Sequence, residues 1–196
     1  MIRFVLPALF ALAALPTVAS AQIAPPATAP GASVAVPKPA ATEKLLAEAQ
    51  KRAASANKNV LVVFHASWCG WCKRLDKVVL SDPEMSKLVN AQYEVVHLDV
   101  QENPEQKNLE NPGGGDLMTR LGGAKSGLPF YAILSPKGDK LADSNVMPQN
   151  QNIGYPGSPE EIKAFLGILE KTAPRLAPAD RAKLADHLTK NAPTTH

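Results

Sequence analysis

Val60-Leu61-Val62-Val63-Phe64-His65-Ala66-Ser67-Trp68-Cys69-Gly70-Trp71-Cys72-Lys73 decides the reading of this chain. The first five residues are continuously apolar and rich in β-branched side chains, the composition of a strand covered on both faces. The only two cysteines of the 196 residues follow at once, two positions apart. A Cys-x-x-Cys pair at the junction of a strand and a helix can cycle between dithiol and disulfide. Other uses of the pair fit less well. A structural bridge gains more when it closes a long loop, and this one would enclose almost nothing. Structural zinc takes about four ligands, and two cysteines with His65 nearby fall short. Covalent haem attachment needs histidine directly after the second cysteine, where Lys73 stands. Neither a metal nor a cofactor is expected.

Working outward, Met1-Ile2-Arg3 is a short positive start, Phe4 to Leu15 is apolar and uncharged, and Ala19-Ser20-Ala21 is an Ala-x-Ala site. Together they read as a secretory signal peptide removed near Ala21. The apolar stretch is well short of the roughly 20 residues of a spanning helix. A soluble periplasmic or secreted protein is therefore expected. Residues 22–41 are rich in Pro and Ala without amphipathic period and read as an extended linker. The remainder divides into a domain over 42–173 and a C-terminal helical extension over 174–196. The net charge of +3 is small and dispersed, which argues against nucleic acid.

The rest of the pattern alternates. Thr42 can cap a helix carrying Leu45, Leu46, Ala49 and Ala53 at helical spacing, ended by Asn57-Lys58-Asn59. A helix should begin at the cysteines, with Leu75, Val78 and Val79 as its buried stripe. Asp82 and Pro83 restart a helix, and Tyr93 to Val100 returns to strand composition. Gln101 to Gly115 reads as a polar loop of little intrinsic order, followed by a short helix over 116–121 and a flexible connection over 122–127. Residues 129–134 and 140–144 fit a hairpin turning at Ser135-Pro136-Lys137-Gly138. Ser158-Pro159-Glu160-Glu161 is a capping box opening a helix that buries Ile162, Phe165, Leu166 and Leu169. A last helix, about 178–188, carries Leu184 and Leu188. This order predicts an α/β chain with a mixed sheet and helices on both faces.

From Val60 through Lys73, the strand ending at Leu98-Asp99-Val100, and Gly127-Leu128-Pro129-Phe130, the chain resembles the thioredoxin superfamily over about residues 42–172. The Cys-Gly-Trp-Cys version, with Ser-Asp-Pro-Glu soon after, is most similar to exported bacterial thioredoxin-like proteins. The resemblance implies a three-layer thioredoxin-like fold with the C-terminal helix as an addition, and a cis Pro129 beside the cysteines. Two departures concern proton handling. Val63 stands where thioredoxin has a buried aspartate, and His97 where it has the lysine paired with that aspartate. Trp71 replaces a proline between the cysteines.

Cys69 should lie at a helix N-terminus, where free N–H groups and the helix dipole favour the thiolate. It is then the attacking nucleophile and Cys72 the resolving cysteine, with a Cys69–Cys72 disulfide as the oxidised form. Trp68, Gly70, Trp71, Leu128 and Pro129 are the candidate substrate-binding residues. The backbone of Leu128 is free to bond an extended client. Lys73 and His97 are candidates for electrostatics or proton handling, or else surface residues. The expected function is an exported thiol–disulfide oxidoreductase of reductase or isomerase type. Its expected partners are disulfide-containing client proteins and a membrane electron donor, and a monomer is expected. The competing reading is a binding module, or a copper-delivery protein in which the cysteines grip a client or a metal.

Overall fold

A computed structural model of the chain describes residues 38–194. The signal peptide expected over 1–21, and the linker as far as residue 37, lie outside the described residues. Four strands, β1 (Asn59–His65), β2 (Tyr93–Asp99), β3 (Phe130–Leu134) and β4 (Lys140–Asp143), form one sheet in the order β2-β1-β3-β4. β1 pairs parallel with β2 and antiparallel with β3, and β4 closes a hairpin with β3. The strand that leads to the cysteines is thus interior. All five residues from Val60 to Phe64 are buried, which is why the run is apolar without alternation.

One face of the sheet presents Val60, Val62, Phe64, Leu98, Phe130 and Ala132. These pack against α1 (Thr42–Ala56), through Ala49 and Ala53, and α4 (Gly114–Arg120), through Leu117 and Met118. The other face presents Leu61, Val63, Tyr93, Tyr131 and Ile133. It is covered by α2 (Gly70–Leu75), α3 (Met85–Asn90), α5 (Pro159–Thr172) and α6 (Pro178–Lys190). The mixed sheet between two helical layers is the expected architecture. α6 buries Leu184 and Leu188 completely within the same core as α5.

Several local expectations change. Thr42 does not cap α1: Ala41 precedes the helix, and Thr42 is its first residue, with its N–H on the carbonyl of Pro112 at 3.0 Å. In α5, Ile168 is buried while Leu166 is only partly so, because the stripe turns toward Ile162, Phe165 and Leu169. The capping box forms as read, with Ser158 and Glu161 bonding each other's backbone N–H. α2 runs on into a single π turn over Asp76–Leu80, where the Ser81 N–H reaches the Asp76 carbonyl at 2.7 Å. Val78 and Val79 are both buried there.

The largest correction concerns 101–115, which is ordered. A 3-10 helix spans Pro104–Leu109. Asn111 bonds the Asp99 N–H through its Oδ1 (2.7 Å) and the Ala40 carbonyl through its Nδ2 (2.9 Å). Gly113 enters α4 at φ 83, a left-handed conformation that suits glycine. Composition marked the segment as a loop because its bonds run from polar side chains to distant backbone.

Tyr93 ties the sheet to α5. It is buried, its hydroxyl lies 2.6 Å from Thr172 Oγ1, and burial pushes its pKa up from 10.0 to about 12. The neutral phenol is therefore favoured by folding. That contribution is fully present below about pH 10 and is lost as pH rises toward 12. At about 1.4 kcal/mol per unit, roughly 2–3 kcal/mol is at stake. Urea titrations between pH 8 and 12 should show stability falling on the alkaline side, and Tyr93→Phe should flatten the fall.

Candidate active site

β1 ends at His65, and the chain turns through Ala66 to Cys69, with the Cys69 N–H on the Ala66 carbonyl at 3.0 Å. Cys69 is the N-cap of α2, and the Cys72 N–H donates to Cys69 Sγ at 3.1 Å. The two cysteines form a disulfide. They are only 3% and 2% exposed, in a small cluster with Ala66 and Leu128. In this oxidised form the pair is reached between its neighbours rather than from an open surface.

Those neighbours are the two tryptophans, 49% and 52% exposed at Trp68 and Trp71. Both lie on the rim, not in the core. The Trp68 indole N–H donates to the Gln101 carbonyl at 2.8 Å. Trp71 stacks on Tyr155, with ring centroids 6.1 Å apart and planes at 14°, and the Arg74 guanidinium lies 5.2 Å from the centre of the Tyr155 ring. Gly70 is exposed, and a side chain there would meet nothing.

The peptide bond Leu128-Pro129 is cis. Leu128 packs against the cysteine cluster. Asn152 fixes this loop: its Nδ2 donates to the carbonyls of Gly127 (2.7 Å) and Pro129 (2.9 Å). The carbonyls on either side of Leu128 are thus occupied, while the N–H and carbonyl of Leu128 have no hydrogen-bond partner among the described residues. A groove of about 1230 Å³ opens beside Trp71 and Leu128 and runs past Asn152 and Tyr155.

Val63 is buried and faces His97 across the parallel pair. His97 is on the sheet edge, with its Nε2 3.0 Å from Asp76 Oδ1. Its ring meets that of His65 edge-on at 5.3 Å, and His65 Nδ1 lies 3.5 Å from Asp99 Oδ1. Burial pushes the His65 pKa below 6.5, outweighing the attraction of Asp99, so the ring is neutral at pH 7. Lys73 is exposed and makes no ion pair among the described residues. Among those residues no group of three or more His, Cys, Asp or Glu side chains is arranged to hold a metal ion.

Three contributors were not apparent from sequence. Glu102 is 3% exposed, and its carboxylate accepts the Ser67 N–H at 2.6 Å and the Ser67 hydroxyl at 2.7 Å. It holds the turn just before Trp68. Asn152 and Tyr155 come from the irregular segment after the hairpin. Only their polar or aromatic character in a loop could have drawn notice, and loops carry function often enough for that to be a weak signal.

A buried, helix-capping Cys-x-x-Cys beside a cis-proline loop on a mixed sheet defines a redox-active thioredoxin-like site. The family described as Thioredoxin-like matches residues 41–136. The chain is 31% identical over 131 residues to the thiol:disulfide interchange protein DsbD 1 of Pseudomonas aeruginosa, aligning 67% of this chain and 20% of that protein. It thus spans about a fifth of that relative's length. Among solved structures, the disulphide isomerase of Xylella fastidiosa Temecula1 is similar at 19% identity, 80% and 95% coverage and a TM-score of 0.47. The oxidised C-terminal domain of Neisseria meningitidis DsbD is similar at 22% identity, 55% and 84% coverage and a TM-score of 0.41. The chain belongs to the thioredoxin superfamily.

Proposed function

We propose that this protein is an exported thiol–disulfide oxidoreductase that reduces or isomerises client disulfides, with Cys69 as nucleophile and Cys72 as resolving cysteine. The observation that carries this reading is the Cys72 N–H aimed at Cys69 Sγ beside the unpartnered backbone of Leu128. A thiolate at Cys69 keeps that donor and the positive end of α2, both of which favour the anion. It attacks one sulfur of a client disulfide, whose other sulfur leaves as thiolate and takes up a proton. Cys72 then attacks Cys69 Sγ, the mixed disulfide breaks, the second client sulfur leaves, and Cys69–Cys72 forms. The client gains two electrons and the protein loses them. Leu128 offers one donor and one acceptor to an extended client strand, while Trp68, Gly70 and Trp71 form the rim.

The proposed direction of flow is supported by the dipeptide Gly70-Trp71, which lacks a histidine to stabilise the thiolate of a strong oxidant. In this reading a membrane electron donor that keeps the dithiol reduced completes the cycle, and the apolar stretch followed by Ala19-Ser20-Ala21 supports export from the cytoplasm. Insulin reduction with dithiothreitol tests the chemistry. The wild type should accelerate precipitation, and Cys69→Ser should fall to the uncatalysed rate. Equal rates would overturn the enzymatic reading. A measured potential near about −120 mV, that of a strong oxidant, would reverse the proposed direction.

A further inference from the structure

The C-terminal extension reaches the redox site. Asn191 ends α6, its backbone N–H on the His187 and Leu188 carbonyls at 3.1 Å and its Nδ2 on the His187 carbonyl at 2.9 Å. Its own carbonyl accepts two bonds from the cysteine side of the molecule, from the Tyr155 hydroxyl at 2.9 Å and from Arg74 Nη2. Tyr155 is the residue stacked on Trp71, and Arg74 follows Cys72 on α2. Trp71, Tyr155, Arg74 and Asn191 therefore form one linked set. The next two residues, Ala192 and Pro193, line the same groove as Trp71 and Leu128. Pro193 sits so close to Gly157 that a Cβ on the glycine would lie 2.8 Å from Pro193 Cδ.

We propose that residues 191–193 are the selectivity-determining wall of the client groove, fixed to the active-site rim by Tyr155 and Arg74. This rests on the exchange reading above. The occupant is an extended, uncharged polypeptide segment carrying the disulfide. Leu128 supplies the strand-like backbone contact. The groove lining mixes apolar residues and glycines with the amides of Asn145 and 149–152, and its charged members are few: Lys125, and Glu161, whose carboxylate is already bonded to the N–H groups of Gly157 and Ser158. Uncharged amide side chains can donate and accept along a main chain without demanding a charge on it. A small disulfide reaches Cys69 between the tryptophans and needs no such wall. A polypeptide flanking its disulfide on the Trp71 side must run against it.

The test compares full-length reduced protein with a truncation ending at Lys190 and with Tyr155→Phe, which keeps the stacked ring and removes the bond to Asn191. Two substrates are used, glutathione disulfide and a fluorogenic peptide disulfide with uncharged flanking residues. The expected result is a change of about fivefold or more in the ratio of kcat/KM for peptide over glutathione disulfide in both variants, residing in the peptide KM. Should the truncation fail to fold, Tyr155→Phe alone decides. A ratio within about twofold of wild type, or a change residing equally in both substrates, overturns the wall. A wild type that exchanges with neither substrate overturns the exchange reading itself and the wall with it.

Discussion

Cys72→Ser protein is expected to accumulate mixed disulfides on Cys69, and Cys69→Ser to accumulate none. Cys69 caps α2 and its sulfur faces the Cys72 N–H, whereas Cys72 lies within the helix; both are buried in the oxidised form. In the proposed mechanism an incoming disulfide meets Cys69, the cap residue, first. The two Cα atoms are 5.3 Å apart in the closed pair, so Cys72 is near enough to resolve an adduct on Cys69 within the same molecule, as proposed. Intramolecular attack by an oriented group corresponds to effective concentrations far above any external thiol. Removing Cys72 should therefore slow adduct clearance by about three orders of magnitude or more. Non-reducing electrophoresis of tagged variants, with mass spectrometry of the captured species, measures this. Adducts on Cys69→Ser instead would exchange the two roles. The captured proteins would also identify the clients.

Glu102→Ala is expected to destabilise the protein by about 2–3 kcal/mol, the range for losing hydrogen bonds to a buried charged acceptor. The carboxylate takes both the N–H and the hydroxyl of Ser67, while its own N–H is held by Glu110 Oε1 at 2.8 Å. Ser67 is only half-buried, so water can replace part of what is lost, which keeps the figure from rising further. Glu102→Gln retains shape, with its carbonyl oxygen for the Ser67 N–H and its amide for the hydroxyl. It should cost about 1 kcal/mol, as neutral bonds replace the two charge-assisted ones. Urea unfolding at pH 7 separates the two, the midpoint shifting without change in slope. Because Trp68 follows this turn and bonds the Gln101 carbonyl, its fluorescence should shift in Glu102→Ala. An alanine variant as stable as wild type would mean the turn stands without the carboxylate.

The strand, the cysteine pair and the start of α2 were legible because each is a local matter. A buried parallel strand needs a continuous apolar run, and a Cys-x-x-Cys at its end places the first cysteine on the cap, whatever packs around it. The capping box at Ser158 and the hairpin before Lys140 were legible for the same reason, their bonds spanning a few residues. The segment 101–115 was read as slack because its bonds reach far along the chain. Ser67 and Glu102 are 35 positions apart, and Asn111 and Ala40 are 71 apart. Asn152 was invisible for the same reason, its partners lying 25 and 23 residues earlier.

The sequence by itself determined a sulfur pair on the first turn of a helix, with one tryptophan before the first cysteine and another between the two. Those follow from spacing and from the short reach of helix-cap hydrogen bonds, whereas the proline loop facing the pair was expected only from the resemblance to the thioredoxin superfamily. What surrounds the pair was decided only by the tertiary structure. Glu102 under the turn, Asn152 across the Leu128 loop, and the Tyr155–Arg74 junction with Asn191 each join parts of the chain that no local pattern connects. Arg74 and Asn191 stand 117 residues apart, and only the packing of α6 into the core beneath α2 brings them within hydrogen-bond reach.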